Sequence, residues 1–381
     1  MKVLILTSSL DPATGGGWAR YSRELIRHLL RLGVEVEIFV EGSQAIVTPY
    51  FENARVHNGL RVTSNASLMN VFRLIRDYFL IRPYGKDFDI VHALVEHHVF
   101  LAALLRRPFL VTAHGTYFPR FFRQAIYGFF TQYALRASRG VIFGSEFTEK
   151  KVKEAVPMIR TFFIPNAVDT QVFKPSSVRH ISSTFITVGA LKPRKGQDLC
   201  IKALASIADQ YPEANYKMIG DLSGSFTRQL KLLAQQLNIT ERVEFVSSAS
   251  DTRLVEYYNS ALALLLPSRT DKAGAFEGFP LSLLEAAACG IPVVGTYGCG
   301  AEHLIKNGLN GFLIQPEDEA ALAERMVYFL EDLERAATMG REAREAAEVF
   351  SWEKHASSVV RVYNRTVDTV AQISLEDSTT S

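Results

Sequence analysis

The stretch FEGFPLSLLEAAACGIPVV, residues 276–294, places two glutamates around the start of one short helix. Pro280 suits the first helical turn and Gly290 suits the helix end, so Glu277 falls in the loop before the helix and Glu285 inside it. A carboxylate among leucines and alanines is costly to bury unless something hydrogen-bonds it, as the hydroxyls of a ribose would. Because a helix N-terminus attracts anions, the pattern predicts a nearby diphosphate rather than two acids in surface salt bridges.

Apolar strands alternate with amphipathic helices along the whole chain. A strand over Val3–Ser9 precedes the glycine run Gly15–Gly17, a helix over Trp18–Leu32 and a strand over Val34–Val40. The alternation continues to the C-terminal region and favours an α/β protein with two Rossmann-like, doubly wound parallel sheets. Further strands are expected at Ile90–Val95, Phe109–Ala113, Val141–Phe143, Phe162–Ile164, Phe185–Val188, Tyr216–Ile219, Val243–Val246, Leu262–Leu266 and Pro292–Gly295.

A boundary between two domains is expected near Lys174–Ser177, a short polar segment with a proline. We assign residues 1–175 to an N-terminal domain and residues 182–350 to a C-terminal domain. A last helix, residues 352–372, is expected to cross back to the first domain. Parallel sheets of this kind bind ligands at the carboxyl ends of their strands, so a cleft faced by both domains is the expected site.

The composition is that of a globular protein, with 381 residues, 48% hydrophobic and 22% charged, and a net charge of +2. The charge is unevenly divided, since residues 1–175 hold 22 basic and 14 acidic side chains and residues 176–381 hold 20 and 26. No apolar run reaches the roughly 18–20 residues that span a bilayer, and the first residues suit a strand better than a signal peptide. The three scattered cysteines favour a reducing compartment, so we expect a cytoplasmic protein.

With the paired glutamates, several further motifs make the chain resemble the retaining glycosyltransferases of family 4, which have the GT-B fold. The family's mark is Glu, seven residues, Glu, which Glu277 and Glu285 match with Gly278-Phe279-Pro280 between them. The resemblance covers most of the chain, residues 1–370. The other motifs are the Gly15–Gly17 loop, His114-Gly115, Pro165–Asp169, Val188–Leu191, Lys195-Gly196, Ile219–Asp221, Leu266–Ser268, Glu302 and Asn307–Gly311.

The resemblance implies roles for individual residues. Glu285 would bond the nucleotide ribose, Glu277 would face the transferred sugar near its anomeric carbon, and Lys195 would pair with the donor diphosphate. His114 would contact the donor sugar or assist at the reaction centre. The remaining donor-binding residues that it implies are Gly16, Gly17, Gly189, Arg194, Gly278, Phe279 and Leu281.

One position departs from the family pattern, because Ala190 stands where the family usually has arginine. A phosphate clamp normally uses two cations, so Arg194 or Lys192 is expected to supply the second one. Some motifs also have a purely structural explanation: the glycine run can be a flexible turn, Lys195 a solvated turn lysine and His114 a core histidine. His97-His98 follow a predicted strand and either line the acceptor side or pack structurally.

The sequence predicts no metal and no cofactor beyond the nucleotide-sugar co-substrate. No Asp-x-Asp pair ends a strand, and no His, Cys and Asp residues have the spacing of a metal site. The leaving diphosphate would then be neutralised by Lys195, a neighbouring cation and helix dipoles. For retention, the resemblance implies same-face attack in which the leaving phosphate helps to deprotonate the acceptor. The glycine spacing is not GxGxxG, which disfavours an NAD dehydrogenase.

The acceptor side is expected in the basic N-terminal half. Between Glu96 and Glu146 there is no acidic residue, whereas the same span holds six arginines. Residues 117–133 hold eight aromatics, which either pack in the core or contact an anionic membrane together with the arginines. These arginines and aromatics are Arg106, Arg107, Arg120, Arg123, Arg136, Arg139, Tyr117, Phe118, Phe121, Phe122, Tyr127, Phe129, Phe130 and Tyr133. Nucleic acid is not an expected partner, because no reading motif is present and the charge is near neutral.

Together these observations predict a retaining, metal-independent glycosyltransferase. It would move a sugar from a nucleotide-sugar donor, with UDP favoured, to a hydroxyl on a glycan or lipid-linked glycan for cell-surface polysaccharide or glycolipid synthesis. We expect it in the cytoplasm, with the inner face of the membrane as the second location. The alternatives are a non-catalytic sugar-nucleotide-binding scaffold and another GT-B enzyme, such as a nucleotide-sugar epimerase or a phosphorylase.

Overall fold

The computed structural model describes residues 1–42, 51, 54–63, 67–84, 87–115, 118–122, 124–177, 182–272 and 274–379. The chain divides into two compact units, Met1–Asn166 with Trp352–Ser381, and Ala167–Ser351. Each unit contains one parallel sheet with helices, which confirms the predicted α/β class and the two Rossmann-like sheets.

Thirteen strands form the two sheets of the described chain. They are β1 (Lys2–Thr7), β2 (Glu35–Glu41), β3 (Arg55–Leu60), β4 (Ile90–Ala93), β5 (Phe109–Ala113), β6 (Gly140–Phe143), β7 (Thr161–Phe163), β8 (Thr184–Val188), β9 (Asn215–Ile219), β10 (Val243–Val246), β11 (Ala263–Leu265), β12 (Val293–Thr296) and β13 (Gly311–Ile314).

The helices of the described chain lie between and after these strands. They are α1 (Pro12–Arg31), α2 (Leu68–Ile81), α3 (Val99–Leu104), α4 (Phe118–Phe122), α5 (Ala125–Ala137), α6 (Glu146–Ala155), α7 (Gln197–Ile207), α8 (Ser225–Gln236), α9 (Asp251–Ser260), α10 (Leu281–Ala288), α11 (Glu319–Glu331), α12 (Leu333–Glu348) and α13 (Trp352–Thr379). Within the described ranges, 3₁₀ turns lie at Glu96–His98, Pro193–Lys195, Thr240–Arg242 and Gly300–His303.

The two sheets share one topology. The first has the order β3-β2-β1-β4-β5-β6-β7, and the second has the order β10-β9-β8-β11-β12-β13. All neighbouring strands are parallel, for example β1 with β2 and β8 with β11. In each sheet the strand order reverses between the first and fourth strands, and ligands of open α/β sheets bind at such a switch point. The switch points therefore lie between β1 and β4 and between β8 and β11.

Burial explains why these segments form central strands. Val3–Leu6 in β1 and Ala263–Leu265 in β11 are fully buried, as expected for strands that are covered on both faces. Helix α1 begins before the predicted Trp18, at Pro12, and its helical backbone is interrupted at Gly16. The φ angle of Gly16 is 59° and its ψ angle is −141°, a conformation that glycine adopts without the strain of a Cβ atom.

Helix α13 packs against α1 in the first unit through buried imidazole and hydroxyl groups. The Tyr21 hydroxyl donates to Nε2 of His355 at 3.0 Å, because Nδ1 of His355 already donates to the Pro165 carbonyl oxygen at 2.7 Å. Deeper in the sheet, His92 on β4 lies 2.6 Å from the Tyr363 hydroxyl of α13. A polar network therefore fixes α13 to the rest of its unit.

Candidate active site

Three charged side chains meet at the switch point of the second sheet. Arg194 and Lys195 follow β8 in the 3₁₀ turn Pro193–Lys195, and Glu277 lies in the connection after β11. The Lys195 ammonium donates to Oε2 of Glu277 at 2.9 Å, and the Arg194 guanidinium pairs with Oε1. Lys195 is 8% exposed and Glu277 is 6% exposed, so this ion cluster is largely removed from water.

The backbone around Lys195 requires a glycine. Gly196 has a φ of 74°, and a Cβ atom there would lie 2.1 Å from the Pro267 carbonyl oxygen. Only glycine fits so close to the exit of β11 without a shift of the backbone. The Arg269 amide also donates to the Arg194 carbonyl at 2.9 Å. These contacts hold the two connections together and so position the Lys195–Glu277 pair.

Three cations, Lys192, Arg194 and Lys195, lie close enough together to repel one another. Burial, together with the neighbouring charges of Arg194 and Lys192, holds the pKa of Lys195 well below its usual range. Burial and Arg194 likewise lower the pKa of Lys192. One carboxylate, Glu277, lies in direct contact with two of these cations. An additional anion would relieve the repulsion, which makes the cluster suited to a phosphate or diphosphate group.

Glu285 lies inside α10, where the sequence predicted it, and is 4% exposed. A buried carboxylate needs a hydrogen-bond donor, and Tyr258 of α9 supplies one. The Tyr258 hydroxyl donates to Oε2 of Glu285 at 2.9 Å. The acid is close enough to Lys195 to act on its pKa, so Glu285 and the cation cluster belong to one electrostatic site.

The other donor-site residues predicted in this unit are held by packing. Gly278, Phe279 and Leu281 are buried, and the Phe279 ring lies 5.6 Å from the Phe350 ring. The Gly300 amide donates to the Glu277 carbonyl at 3.1 Å. Gly189 directly follows β8 and is partly buried. The fold thus fixes the loop that precedes α10.

The remaining predicted residues belong to the first unit. Gly16 and Gly17 are exposed in α1, at the break in its helical backbone. His114 follows β5, and its Nε2–H donates to the Leu94 carbonyl oxygen at 2.9 Å. Burial lowers the pKa of His114 to about 4, so the ring is neutral near pH 7 and Nδ1 keeps its lone pair. His114 can therefore accept a hydrogen bond from a ligand at Nδ1.

Two site residues, Tyr258 and Glu41, were not predicted from the sequence. Tyr258 gives no sequence signal as the partner of Glu285, because it is one of two adjacent tyrosines on a surface helix. Glu41, at the end of β2, lies next to His97 and His98, which follow β4. The pairing depends on β1 lying between those two strands, which sequence spacing does not reveal.

The aromatic stretch of residues 117–133 divides between core and surface. Phe118 and Phe121 are fully buried, whereas Phe129, Phe130 and Tyr133 are 55–69% exposed. Tyr117 and Arg123 lie outside the described residues, as does the side chain of Arg120. Within the described ranges, no helix combines the length and apolar character that a bilayer crossing requires.

Comparison with known proteins matches two family descriptions to successive parts of the chain. The Glycosyltransferase Family 4 description matches residues 15–172, and the description of glycosyl transferases group 1 matches residues 170–346. Between them they cover the first sheet from α1 onward and nearly all of the second unit. The Lys195–Glu277 pair and Glu285 all lie in the group 1 match.

Individual relatives agree with this result. The chain is 25% identical over 365 residues to the uncharacterized glycosyltransferase MJ1178 of Methanocaldococcus jannaschii, covering 93% of this chain and 95% of that protein. It is 30% identical over 224 residues to a GDP-mannose-dependent monoacylated alpha-(1-6)-phosphatidylinositol monomannoside mannosyltransferase of Corynebacterium glutamicum, covering 55% and 58% of the two chains.

The fold also matches a solved structure, Alr3699/HepE of Anabaena in complex with UDP and glucose. The TM-score is 0.76 at 21% identity, and the match covers 98% of this chain and all of that chain. Three observations lead to one assignment. They are the two Rossmann-like sheets, the cation–glutamate cluster at the second switch point and the two family matches. The chain belongs to the glycosyl transferases of group 1 and is a glycosyltransferase with the GT-B fold.

Proposed function

We propose that the protein transfers a sugar, with retention of the anomeric configuration, from a nucleotide-sugar to a hydroxyl acceptor. The observation that carries this proposal is the buried cluster of Arg194, Lys195 and Glu277 beside Glu285. A scaffold that only bound a neutral sugar would have no need to bury two cations beside Glu277, since buried charges are expensive to remove from water even when they are paired. A diphosphate leaving group gives these cations a function.

Each side chain takes one part in the proposed reaction. Lys195 and Arg194 bind the diphosphate and stabilise the negative charge that develops as the bond between the anomeric carbon and the phosphate oxygen breaks. The acceptor oxygen attacks from the same face, and its proton passes to the departing phosphate oxygen. Glu277 orients the transferred sugar, Glu285 binds the nucleotide ribose, and His114 accepts a hydrogen bond at Nδ1. No step needs a metal ion.

UDP is the preferred carrier in this proposal. The similar fold of HepE binds UDP and glucose, which supports a uridine donor. The Corynebacterium relative is described as GDP-mannose-dependent, so guanosine donors are the first alternative to be tested. In this proposal Glu285 binds the ribose and not the base, so the choice of base rests on this likeness alone.

A donor panel tests the proposal. UDP-, GDP- and ADP-sugars are added to the protein at about 100 times the dissociation constant, where a bound ligand contributes about 2.7 kcal/mol to stability. We expect a clear rise of Tm with one nucleotide class, lost in Glu285→Ala. Glu317→Gln is the control, because this exposed acid in the same unit pairs with Arg269 instead. A Tm unchanged by every donor would contradict the proposal.

The acceptor is proposed to be a lipid-linked glycan, held at the anionic inner face of a membrane. Two helices of the first unit expose apolar stripes at helical spacing, and Tyr127 on α5 donates to the Ser67 carbonyl before α2 at 3.3 Å. We call the two stripes together the α2–α5 face. Its exposed apolar residues are Met69, Phe72, Ile75, Phe79, Ile126, Phe129, Phe130 and Tyr133.

Charge complementarity favours a membrane as the occupant of the α2–α5 face. Arg73 interleaves with the α2 stripe, and Arg136 continues the α5 stripe by one turn. Arg76 lies beside the α2 stripe as well, but it pairs with Asp77 of the same helix at 2.6 Å. Neither α2 nor α5 has an acidic residue in its first turn, and residues 97–145 contain none at all. Each basic group near an anionic surface contributes about 1 kcal/mol of attraction. The phosphatidylinositol-linked acceptor of the Corynebacterium relative supports the same class of substrate.

Liposome sedimentation tests the membrane contact. We expect the protein to bind vesicles that contain phosphatidylglycerol, to bind phosphatidylcholine vesicles weakly, and to dissociate at high salt. The double variant Phe129→Ser/Phe130→Ser should lower binding by roughly 10–100-fold, because it removes two aromatic side chains that would be buried in the bilayer interface when the protein is bound. Leu232→Ser, at an equally exposed site on α8, is the control. Equal binding of both variants would refute the contact.

A further inference from the structure

An imidazole–carboxylate cluster lies at the switch point of the first sheet, in the unit that does not contain the cation cluster. Glu41 is the last residue of β2, and His97 and His98 form part of the 3₁₀ turn Glu96–His98 that follows β4. Because β1 lies between these two strands and all three are parallel, their carboxyl ends meet at one edge. One donor atom from each side chain lies within 4.8 Å of the other two.

Both imidazoles approach the same carboxylate oxygen. Nε2 of His97 lies 2.5 Å from Oε1 of Glu41, and Nε2 of His98 lies 3.1 Å from it. The two rings are 4.5 Å apart between centroids, at an angle of 61°. Two imidazole nitrogens and one carboxylate are therefore held together as the ligands of a metal site are.

His98 is the residue that a simple hydrogen-bonded pair does not explain. Its side chain has no exposure, and among the residues that the structure describes its Nδ1 has no hydrogen-bond partner. A buried polar atom without a partner costs free energy comparable to a lost hydrogen bond. Glu41 has 23% of its side chain exposed, which leaves an opening to solvent at the cluster.

We propose that Glu41, His97 and His98 bind a divalent transition-metal ion of the zinc class. Two histidines and one glutamate are a ligand set that zinc takes in proteins, with the fourth position open to water. Imidazole also suits cobalt and nickel, whereas magnesium and calcium prefer oxygen ligands. Metal–ligand bonds of about 2.0–2.1 Å place the ligand atoms of a tetrahedral site roughly 3.3 Å apart. Side-chain rotations therefore lengthen the 2.5 Å contact between His97 and Glu41 and shorten the widest separation, which is at most 4.8 Å.

The ion would have a positioning role that is separate from the transfer chemistry. The residue next to His97, Glu96, accepts hydrogen bonds from the amides of His114 and Gly115, both at 3.0 Å through Oε1. An ion that ties the Glu96–His98 turn to the end of β2 therefore also fixes the backbone at His114. The proposal does not depend on the donor site, and it stands if the donor panel fails.

The test is a zinc titration of tag-free, chelator-treated full-length protein, in competition with a chromophoric chelator. We expect one equivalent of Zn²⁺ to bind, and Co²⁺ to give the visible absorption of a tetrahedral site. His98→Ala and Glu41→Gln should weaken binding by more than about 100-fold, since loss of an outer-shell partner alone costs 10–100-fold. His57→Ala is the matched control, because His57 forms a lone imidazole–carboxylate pair with Glu37 at 2.6 Å.

Two results would overturn the proposal. One is the lack of stoichiometric binding at micromolar zinc in the wild-type protein. The other is binding that both His98→Ala and Glu41→Gln retain, which would place the ion elsewhere. Far-ultraviolet circular dichroism checks the folding of each variant. If His98→Ala does not fold, His98→Gln keeps the volume of the side chain and, with Glu41→Gln, decides the question.

Discussion

Replacing Glu277 with glutamine is expected to lower kcat by about 10²–10³-fold while nucleoside diphosphate binds as tightly as before or more tightly. The carboxylate accepts from Lys195 and pairs with Arg194. Glutamine has the same size but no charge, so both cations lose their counter-ion and become available to bind the diphosphate. The transferred sugar, in contrast, loses the group that orients it. The measurements are the rate of nucleoside diphosphate release from the donor and its dissociation constant.

The same substitution should destabilise the unliganded protein. Removing one partner of a buried ion pair costs about 3–5 kcal/mol, because the remaining charges stay buried without compensation. Nucleoside diphosphate should restore much of this loss by taking the place of the carboxylate. Glu317→Gln, an exposed acid of the same unit, is expected to change neither kcat nor stability measurably. A variant that keeps its kcat while its diphosphate affinity rises would show that Glu277 acts only as a counter-ion to Lys195 and Arg194.

The fold was predictable because its central strands are buried on both faces. Such strands are short, continuous apolar runs, and β1, β5 and β11 were expected from them within a few residues. β3 and β13 were not predicted from the sequence. β3 is an edge strand with the polar sequence RVHNGL, which has neither the apolar run nor the alternation that marks a strand. β13 does contain a short apolar run, residues 312–314, but this run directly follows the Asn307–Gly311 motif and was not assigned as a strand.

The placement of the donor-site residues followed from local sequence, whereas their partners did not. Pro280 and Gly290 bound the short helix, so the loop position of Glu277 and the helical position of Glu285 could be predicted. The contact between Tyr258 and Glu285 joins residues on two helices that come together only when the sheet has formed. The cluster of Glu41 with His97 joins residues 56 positions apart in sequence and requires the strand order.

Helical phase explains why the aromatic stretch could not be assigned to core or membrane from the sequence. Phe118 and Phe121 lie on α4, a separate short helix whose aromatic residues face the sheet. α5 starts afresh at Ala125 and turns Phe129, Phe130 and Tyr133 outward. A single helix across residues 117–133 would have placed these groups differently. The break between α4 and α5 therefore determines which aromatics are available to a membrane.

Mild acid is expected to unfold the first unit, because three of its histidines are held neutral in the folded state. Burial lowers the pKa of His92 to about 3, and it lowers the pKa values of His114 and His355 to about 4, from an ordinary value of 6.5. Unfolded histidines bind protons below pH 6.5, and the folded ones do not until about pH 4. The stability that these residues contribute is therefore complete above pH 6.5 and is lost as the pH falls toward 4.

The expected size of this loss follows from linkage. Between pH 7 and pH 5, each histidine costs about 2 kcal/mol of unfolding free energy, so the three together cost about 4–6 kcal/mol, with a discount for partly exposed His114. A domain has only about 5–15 kcal/mol of stability, so the unit should approach its unfolding midpoint near pH 5. Glu41, whose pKa is lowered from 4.5 to about 2 in the folded protein, adds to the loss mainly below this interval, as the pH falls below 4.5.

Tryptophan fluorescence can follow this unit alone, because the two tryptophans of the chain, Trp18 and Trp352, both belong to it. Urea titrations at pH 7, 6 and 5 give the pH slope of its unfolding free energy. His355→Gln removes one titrating group and should reduce that slope by about a third. Tyr363→Phe removes the hydroxyl beside His92 and should lower stability by about 1–3 kcal/mol at every pH without changing the slope. If His355→Gln has the same pH slope as the wild type, as Tyr363→Phe is expected to have, the histidines are not the source of the acid sensitivity. The packing of α13 alone would then account for it.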